Sequence, residues 1–149
     1  MVPARQSTLF ITYCSRHKSR DPGDLPAQER YTSKRIRAVH AAAVAIDTRF
    51  RILSGKYGLL AADELIPWYD HLLSDDEIVA HAALILPQLR AIKPARVLFF
   101  ARPAAVDPGV IAYRDAMARA CAAAGTNLTV IEVNDDDLIP ERLVRKAED

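Results

Sequence analysis

Four short runs of β-branched, aromatic and aliphatic residues alternate along the chain with longer stretches whose apolar residues recur at helical spacing. The runs cover residues 7–13, 50–53, 96–100 and 128–133. Runs of this length and composition are typical of buried strands. Strands that alternate with amphipathic helices form βαβ units, which have parallel strands and right-handed connections. The pattern predicts an α/β fold with three layers, α/β/α, around a four-stranded, mainly parallel sheet.

The stretches between the runs carry the start and stop signals of helices. Ser33 is a candidate N-cap, and Ser74 opens the S-x-x-E spacing of a capping box. Pro108 and Gly125 occupy the positions that proline and glycine favour at the two ends of a third helix. After the last run, the acidic residues 135–137 could bind magnesium, but we expect them to cap the first amides of a helix, and we expect a polar tail to follow.

Size and charge limit the class of protein. A chain of 149 residues, half of them hydrophobic, is long enough for a single domain that spans residues 1–149. Its 20 basic and 19 acidic residues leave a formal charge of +1. This balance argues against a protein that binds duplex DNA through a broad basic surface, although local basic clusters are compatible with it.

The cysteines, histidines and N-terminus bear on cofactors and compartment. Cys14 and Cys121 form no CxxC or zinc spacing, and His81 is expected on a helix surface or in helix packing. Arg5 and Gln6 lead directly into the first run, which is not a signal-peptide pattern, and no apolar run has membrane-spanning length. We expect a cytoplasmic protein that needs no membrane, metal or other cofactor. The oligomeric state does not follow from the sequence.

The predicted sheet brings two polar loops, residues 14–32 and 54–70, to the edge at which α/β proteins bind ligands. Arg102 follows the third run and would lie at the same edge. Because both loops leave parallel strands, we expect their polar side chains to line one pocket. These side chains are Ser15, Lys18, Ser54, Lys56 and Asp70.

In the second loop, Gly55 and Gly58 flank Lys56 and Tyr57. Glycines allow a sharp turn close to a ligand, the ammonium group can bind an anion, and the phenol can stack or form a hydrogen bond. The segment lacks the GxxxxGK[ST] spacing of a nucleoside-triphosphate-binding loop. The alternative is a simple turn with a solvated lysine.

In the first loop, Ser15 and Lys18 offer a hydroxyl and an ammonium group near free backbone N–H groups, which suits a phosphate or carboxylate. Neighbouring cations could activate Cys14 as a nucleophile, but a lone cysteine at a strand end is more often an apolar filler. A hydrolase centred on Cys14 or Ser54 is therefore the third hypothesis for the function.

Two aromatic residues and a carboxylate follow Pro67. Trp68 and Tyr69 could provide a stacking platform for a planar base, and Asp70 could accept base N–H protons or activate water. The alternative for Trp68 is a lid packed on the core.

The motifs CSxxK, ILSGKYGLL and PWYD, taken together, resemble a group of small uncharacterised α/β domains of bacteria and phages with the hallmark LISAKYGLL and a later PxYD. The group is distantly similar to the core domain of archaeosine synthase and to the YaaA peroxide-stress family. The resemblance covers residues 7–75 and implies nucleobase or nucleic-acid chemistry. Trp68 stands where archaeosine synthase has histidine, and Gly55 where alanine is usual. The matched positions are Cys14, Ser15, Lys18, Ser54, Lys56, Tyr57, Gly58, Tyr69 and Asp70.

The leading hypothesis is an enzyme that acts on a nucleoside or nucleotide by cleaving the N-glycosidic bond of a purine-like or modified base, or by a related base substitution. Asp70, with Lys56 and Ser54, would be catalytic, because a carboxylate stabilises the oxocarbenium charge of the transition state. The substrate-binding residues would be Cys14, Ser15, Lys18, Gly55, Tyr57, Gly58, Trp68, Tyr69 and Arg102.

The alternative is a non-catalytic protein of stress or phage-related physiology that binds a nucleotide or a nucleic acid. The position of Asp70 separates the two hypotheses. A buried carboxylate that faces the crevice favours the enzyme, and an exposed one favours the binding protein.

Overall fold

The computed structural model of the protein describes residues 7–148. Arg5 and Gln6, which entered the signal-peptide argument, lie outside this range. The elements are β1 (Thr8–Tyr13), β2 (Leu25–Pro26), α1 (Ala27–Arg30), α2 (Lys34–Ala45), β3 (Arg49–Ser54), β4 (Gly58–Leu60), β5 (Leu65–Ile66), α3 (Ile78–Ile92), β6 (Arg96–Ala101), α4 (Val110–Ala124), β7 (Asn127–Glu132) and α5 (Pro140–Glu148). Short 3-10 turns precede α3 and α5. None of these helices is long and apolar enough to cross a membrane.

The protein has a mixed α/β fold with a five-stranded, mostly parallel sheet in the order β4-β3-β1-β6-β7. The four strands expected from the sequence are β1, β3, β6 and β7, and they pair in parallel. The expected number of strands is wrong by one, because β4 adds an antiparallel edge strand beside β3. Its three residues directly follow the glycine turn and are too few to give a strand signal of their own.

The helices begin largely where their capping residues indicate. Ser33 caps α2 and accepts a hydrogen bond from the N–H of Ile36 at 3.4 Å, and Ser74 forms the capping box that leads into α3. The polar tail forms helix α5, which buries Leu143 and packs against α2. A second pair of helices is formed by α3 and α4. The three-layer arrangement stays a prediction.

The central strand β1 lies at a topological switch point. The chain passes from β1 through α2 to β3 on one side, and from β6 through α4 to β7 on the other side. Connections that diverge in this way leave a crevice beyond the carboxyl ends of β1 and β6. The fold therefore places a ligand-sized opening beside the loop that follows β1.

The two long loops at this edge are joined to each other. Strands β2 and β5, one from each loop, pair in antiparallel fashion. Arg30 at the end of α1 is completely buried and donates hydrogen bonds to carbonyl groups of both loops. The acceptors are the carbonyls of Ser19 at 2.7 Å, Asp21 at 3.0 Å, Gly23 at 2.6 Å and Ile66 at 3.3 Å.

Gly58 is a tight point of the β3–β4 turn, with φ at +75°. A Cβ atom there would lie 2.3 Å from Oε1 of Gln88, which accepts the N–H of Leu59 at 2.7 Å. We expect Gly58→Ala to lower the free energy of unfolding by about 2–3 kcal/mol, through left-handed strain and loss of the Gln88 bond.

Gly23→Ala is the matched control, because Gly23 also has positive φ, +80°, but nothing within 4 Å of an added Cβ. Its free energy of unfolding should fall by only about 1–2 kcal/mol, which is the cost of left-handed strain alone. Urea unfolding measures both variants, and equal losses would contradict a role for Gln88.

Candidate functional site

Two separate cavities open near the carboxyl ends of the strands. The first, about 850 Å³, is lined by Ser15 after β1, by the first turns of α2, and by Arg102 after β6. The second, about 570 Å³, is lined by the β3–β4 turn with Lys56, by Asp70, and by the start of α3. The expectation of one pocket is therefore wrong. Ser15 lines the first cavity, Lys56 and Asp70 line the second, and Lys18 and Ser54 are in neither lining.

Arg35 is a buried cation in the wall of the first cavity, with only 5% of its surface exposed. Its Nη1 donates to the Thr12 hydroxyl and to the Tyr13 carbonyl at 2.7 Å, and its Nη2 donates to the Cys14 carbonyl at 3.4 Å. The guanidinium group also lies 3.7 Å from the centroid of the Tyr13 ring. Burial lowers the pKa of Arg35. No carboxylate within residues 7–148 forms a salt bridge with it.

One edge of the Arg35 guanidinium has no protein partner. The three bonds use three of its five N–H donors, so within the described range Nε–H and one N–H of Nη2 are left. Nε is not fully buried by protein atoms, so its N–H group is accessible. Nε and Nη2 lie on the same side of the guanidinium group, the side that can bind a carboxylate or phosphate through two parallel hydrogen bonds.

The rest of the first cavity is predominantly cationic. Asp107 accepts the Tyr13 hydroxyl at 2.8 Å, and Asp135 forms an ion pair with Arg102. Burial is the main cause that raises the pKa of Tyr13 to about 12, so its phenol remains a donor to Asp107. Other cationic side chains in the lining, none with a carboxylate partner in the described part of the chain, are Arg16, Lys34 and Arg37.

Cys14 and Ser54 belong to a buried polar cluster. The Cys14 thiol donates to the Tyr113 hydroxyl at 3.3 Å. The hydroxyl of Ser54, which is completely buried, bonds to that of Tyr69 at 2.8 Å, and Tyr69 in turn bonds to Tyr31. Burial raises the pKa values of all three tyrosines. The cluster holds Cys14 and Ser54 in the packing beneath the loops.

Ser54 also organises the turn that follows β3. Its Oγ accepts the N–H groups of Lys56 and Tyr57, each at 3.1 Å. In the described structure no histidine or lysine side chain is hydrogen-bonded to the Ser54 hydroxyl or to the Cys14 thiol. The structure therefore offers neither residue an adjacent base of the kind that activates a nucleophile.

The second cavity brings together several residues of the second loop. Gly55, Lys56, Tyr69 and Asp70 line it, and the Asp70 side chain is exposed. Nε2 of His71 and Oε2 of Glu77, both in its lining, lie 2.8 Å apart, and hydrogen bonds from Ser74 lower the pKa of Glu77. His81 lies in the wall of the cavity.

Cations lie over aromatic rings on the surface formed by the two loops. Lys18 Nζ is 4.7 Å from the centroid of Tyr69, and Lys56 Nζ is 5.3 Å from that of Tyr57. The Arg20 guanidinium lies 5.2 Å from the Trp68 ring, whose residue is 43% exposed. Trp68 is therefore not a lid packed into the core. Within residues 7–148 no group of three or more histidine, cysteine, aspartate or glutamate side chains could hold a metal ion.

Sequence reasoning missed Arg35 and left two places open for His81, a helix surface or helix packing, of which the structure shows the second. Arg35 precedes Val39 by four positions and Ala42 by seven, so it occupies the buried stripe of α2. A charged residue in an apolar stripe is the signal that could have found it. His81 precedes Ile85 by four positions and Leu89 by eight, and lies on the buried stripe of α3 in the same way.

The protein is an α/β protein with a cationic cavity at a topological switch point. The model of a family of unknown function, DUF6884, matches residues 9–131, so the chain belongs to this family. Searches of curated proteins and of solved structures found no match. Membership fits the expected uncharacterised α/β domain. The distant similarity to archaeosine synthase and to the YaaA family stays a prediction.

Proposed function

We propose that the protein binds a nucleotide, with a phosphate group on the free edge of Arg35 in the first cavity. The observation that carries this proposal is a buried guanidinium group with two unused donors and no carboxylate partner in the described chain. A buried charge is costly unless it is paired. A phosphate would supply both the counter-charge and the two acceptors.

The surroundings of Arg35 support an anionic ligand of this size. The cavity of about 850 Å³ falls in the range that small-molecule sites occupy, roughly 300–1,000 Å³, and leaves space beyond a phosphate. The capped start of α2, a helix of 12 residues, contributes N–H groups and a positive dipole end. The nucleoside part of the proposal comes from the sequence motifs. The exposed Asp70 favours binding over catalysis.

The experiment is a calorimetric titration with adenosine monophosphate, guanosine monophosphate and the two corresponding nucleosides. Each monophosphate should bind at least about tenfold more tightly than its nucleoside, because charge-assisted hydrogen bonds contribute about 1.5–3 kcal/mol. Inorganic phosphate should compete with the monophosphates. Equal affinities for nucleoside and monophosphate, or no binding of either, would refute the proposal.

N-glycosidic cleavage is the second candidate, and one observation favours it. Lys56 and Asp70 line the same cavity, where a carboxylate and an ammonium group could act on one substrate. In this scheme Asp70 orients water or stabilises the charge on the sugar. Ser54 would contribute only by shaping the turn, since its hydroxyl is buried and bonded.

For this candidate, Asp70→Asn should reduce release of base from a nucleoside at least about 100-fold while ligand affinity stays nearly constant, because the change removes charge but not size. Chromatography of a nucleoside panel measures the released base. Asp75→Asn, an exposed carboxylate of the neighbouring 3-10 turn, is the matched control. No release by the wild-type protein, or full activity in Asp70→Asn, would leave the binding function as the better account.

A further inference from the structure

The orientation and protonation of His81 follow from one hydrogen bond. Its Nε2 lies 2.8 Å from the carbonyl oxygen of Ser54. A carbonyl oxygen only accepts hydrogen bonds, so the proton is on Nε2. Burial, the largest cause, lowers the pKa of His81 despite the nearby Glu77, so the imidazole is neutral near pH 7.

A neutral imidazole with its proton on Nε2 has a free lone pair on Nδ1. His81 is only 7% exposed, yet no residue in the described range forms a hydrogen bond with its Nδ1. Nδ1 is also not fully buried by protein atoms. The lone pair is therefore not enclosed by the protein, and His81 lines the second cavity.

We propose that the second cavity binds a planar heterocycle of the cyclic amide or imide class, whose ring N–H donates to Nδ1 of His81. The cavity holds complementary groups for such a ring. Lys56 can donate to the carbonyl next to the N–H, and Asp70 can accept a further N–H. Tyr69 and Leu84 add apolar surface for the faces of the ring. The proposal uses residues outside the Arg35 cavity and does not depend on binding there.

The test compares uracil with its N,N′-dimethyl derivative, which has the same ring but no N–H donor. Nitrogen NMR of the labelled protein reports the Nδ1 signal of each histidine. Uracil should shift the Nδ1 signal of His81, and the dimethyl derivative should leave it unchanged. His40, stacked on Phe50 at 4.8 Å and remote from the lining of this cavity, is the internal control. Equal shifts with both compounds, or no shift with uracil, would overturn the proposal.

Two variants separate the Nδ1 contact from general effects on structure. His81→Gln keeps an N–H donor near the Ser54 carbonyl but removes Nδ1, so uracil affinity should fall at least about tenfold. His71→Gln changes a half-buried histidine of the same cavity, to which the proposal gives no contact with the ring, and should retain uracil binding. Wild-type uracil affinity in a folded His81→Gln protein would overturn the proposal. If that variant does not fold, the NMR comparison of uracil with its dimethyl derivative on the wild-type protein tests the proposal. Phosphate affinity at Arg35 is measured separately, so either proposal can fail alone.

Discussion

Replacing Arg35 with methionine should reduce the affinity for adenosine monophosphate about 100-fold or more. The change removes the two free donors of the guanidinium group. It also removes a buried positive charge from the lining of this cavity. Two charge-assisted hydrogen bonds together contribute about 3 kcal/mol, which corresponds to this ratio. Arg35→Lys keeps the charge but not the two-donor edge, so its affinity should lie between those of wild type and Arg35→Met.

Arg37→Met is the matched control for this prediction. Arg37 lies on the same helix and lines the same cavity, but its side chain is exposed. It should lose less than about threefold in affinity, because solvent screens an exposed charge. Calorimetry on each folded variant gives the affinities, and urea unfolding verifies that Arg35→Met is folded. An Arg35→Met protein that binds adenosine monophosphate as tightly as wild type would contradict the proposed site.

Arg30→Leu should lower the free energy of unfolding by about 3–5 kcal/mol, which is near the upper end for single substitutions. Arg30 joins the first loop to the Ile66 carbonyl of the second loop and is completely buried. Leucine would leave the carbonyls of Ser19, Asp21 and Gly23 without their donor as well. The two loops that border the cavities should then separate more readily than the sheet unfolds.

Arg119→Leu is the control, because Arg119 is exposed on α4. Its substitution should change stability by less than about 0.5 kcal/mol. Urea unfolding gives both values, and hydrogen exchange of amides in loop residues 15–24 shows whether these residues open first. A loss below about 1 kcal/mol in Arg30→Leu would mean that the other contacts between the loops, such as the β2–β5 pairing and the Tyr31–Tyr69 hydrogen bond, hold them together without Arg30.

The sequence predicts the parallel strands well, because buried runs and helical stripes have different periods. Both ends of β1, β3, β6 and β7 lie within one residue of the expected bounds. The tail that forms α5 has few apolar residues, but Leu143 is buried, and Val144 and Ala147 pack against the core. Positions 143, 144 and 147 have the spacing of one helix face, so the helix was within reach of the sequence pattern although the tail as a whole is polar.

The sequence predicts at which edge of the sheet the candidate site lies, but not which residues share a cavity there. Parallel pairing puts the loops after β1 and β3 at one edge, and Ser15, Lys56 and Asp70 are indeed found near that edge. Whether they share a cavity depends on the helix to which each loop leads and on the pairing of β2 with β5. These are long-range contacts with no local signal. Arg35 and His81 could be found only as exceptions to the hydrophobic pattern, because each is a polar residue at a position where the helix otherwise buries apolar ones.

The most direct test of the Arg35 site is the NMR signal of its Nε–H group during a titration with adenosine monophosphate. We expect the signal to shift progressively and to saturate, with a dissociation constant that agrees with the one measured by calorimetry. The Arg30 Nε–H group, which the fold encloses without a partner, should not move. Binding of the nucleotide with no shift of the Arg35 signal would contradict the account, because the phosphate would then lie elsewhere.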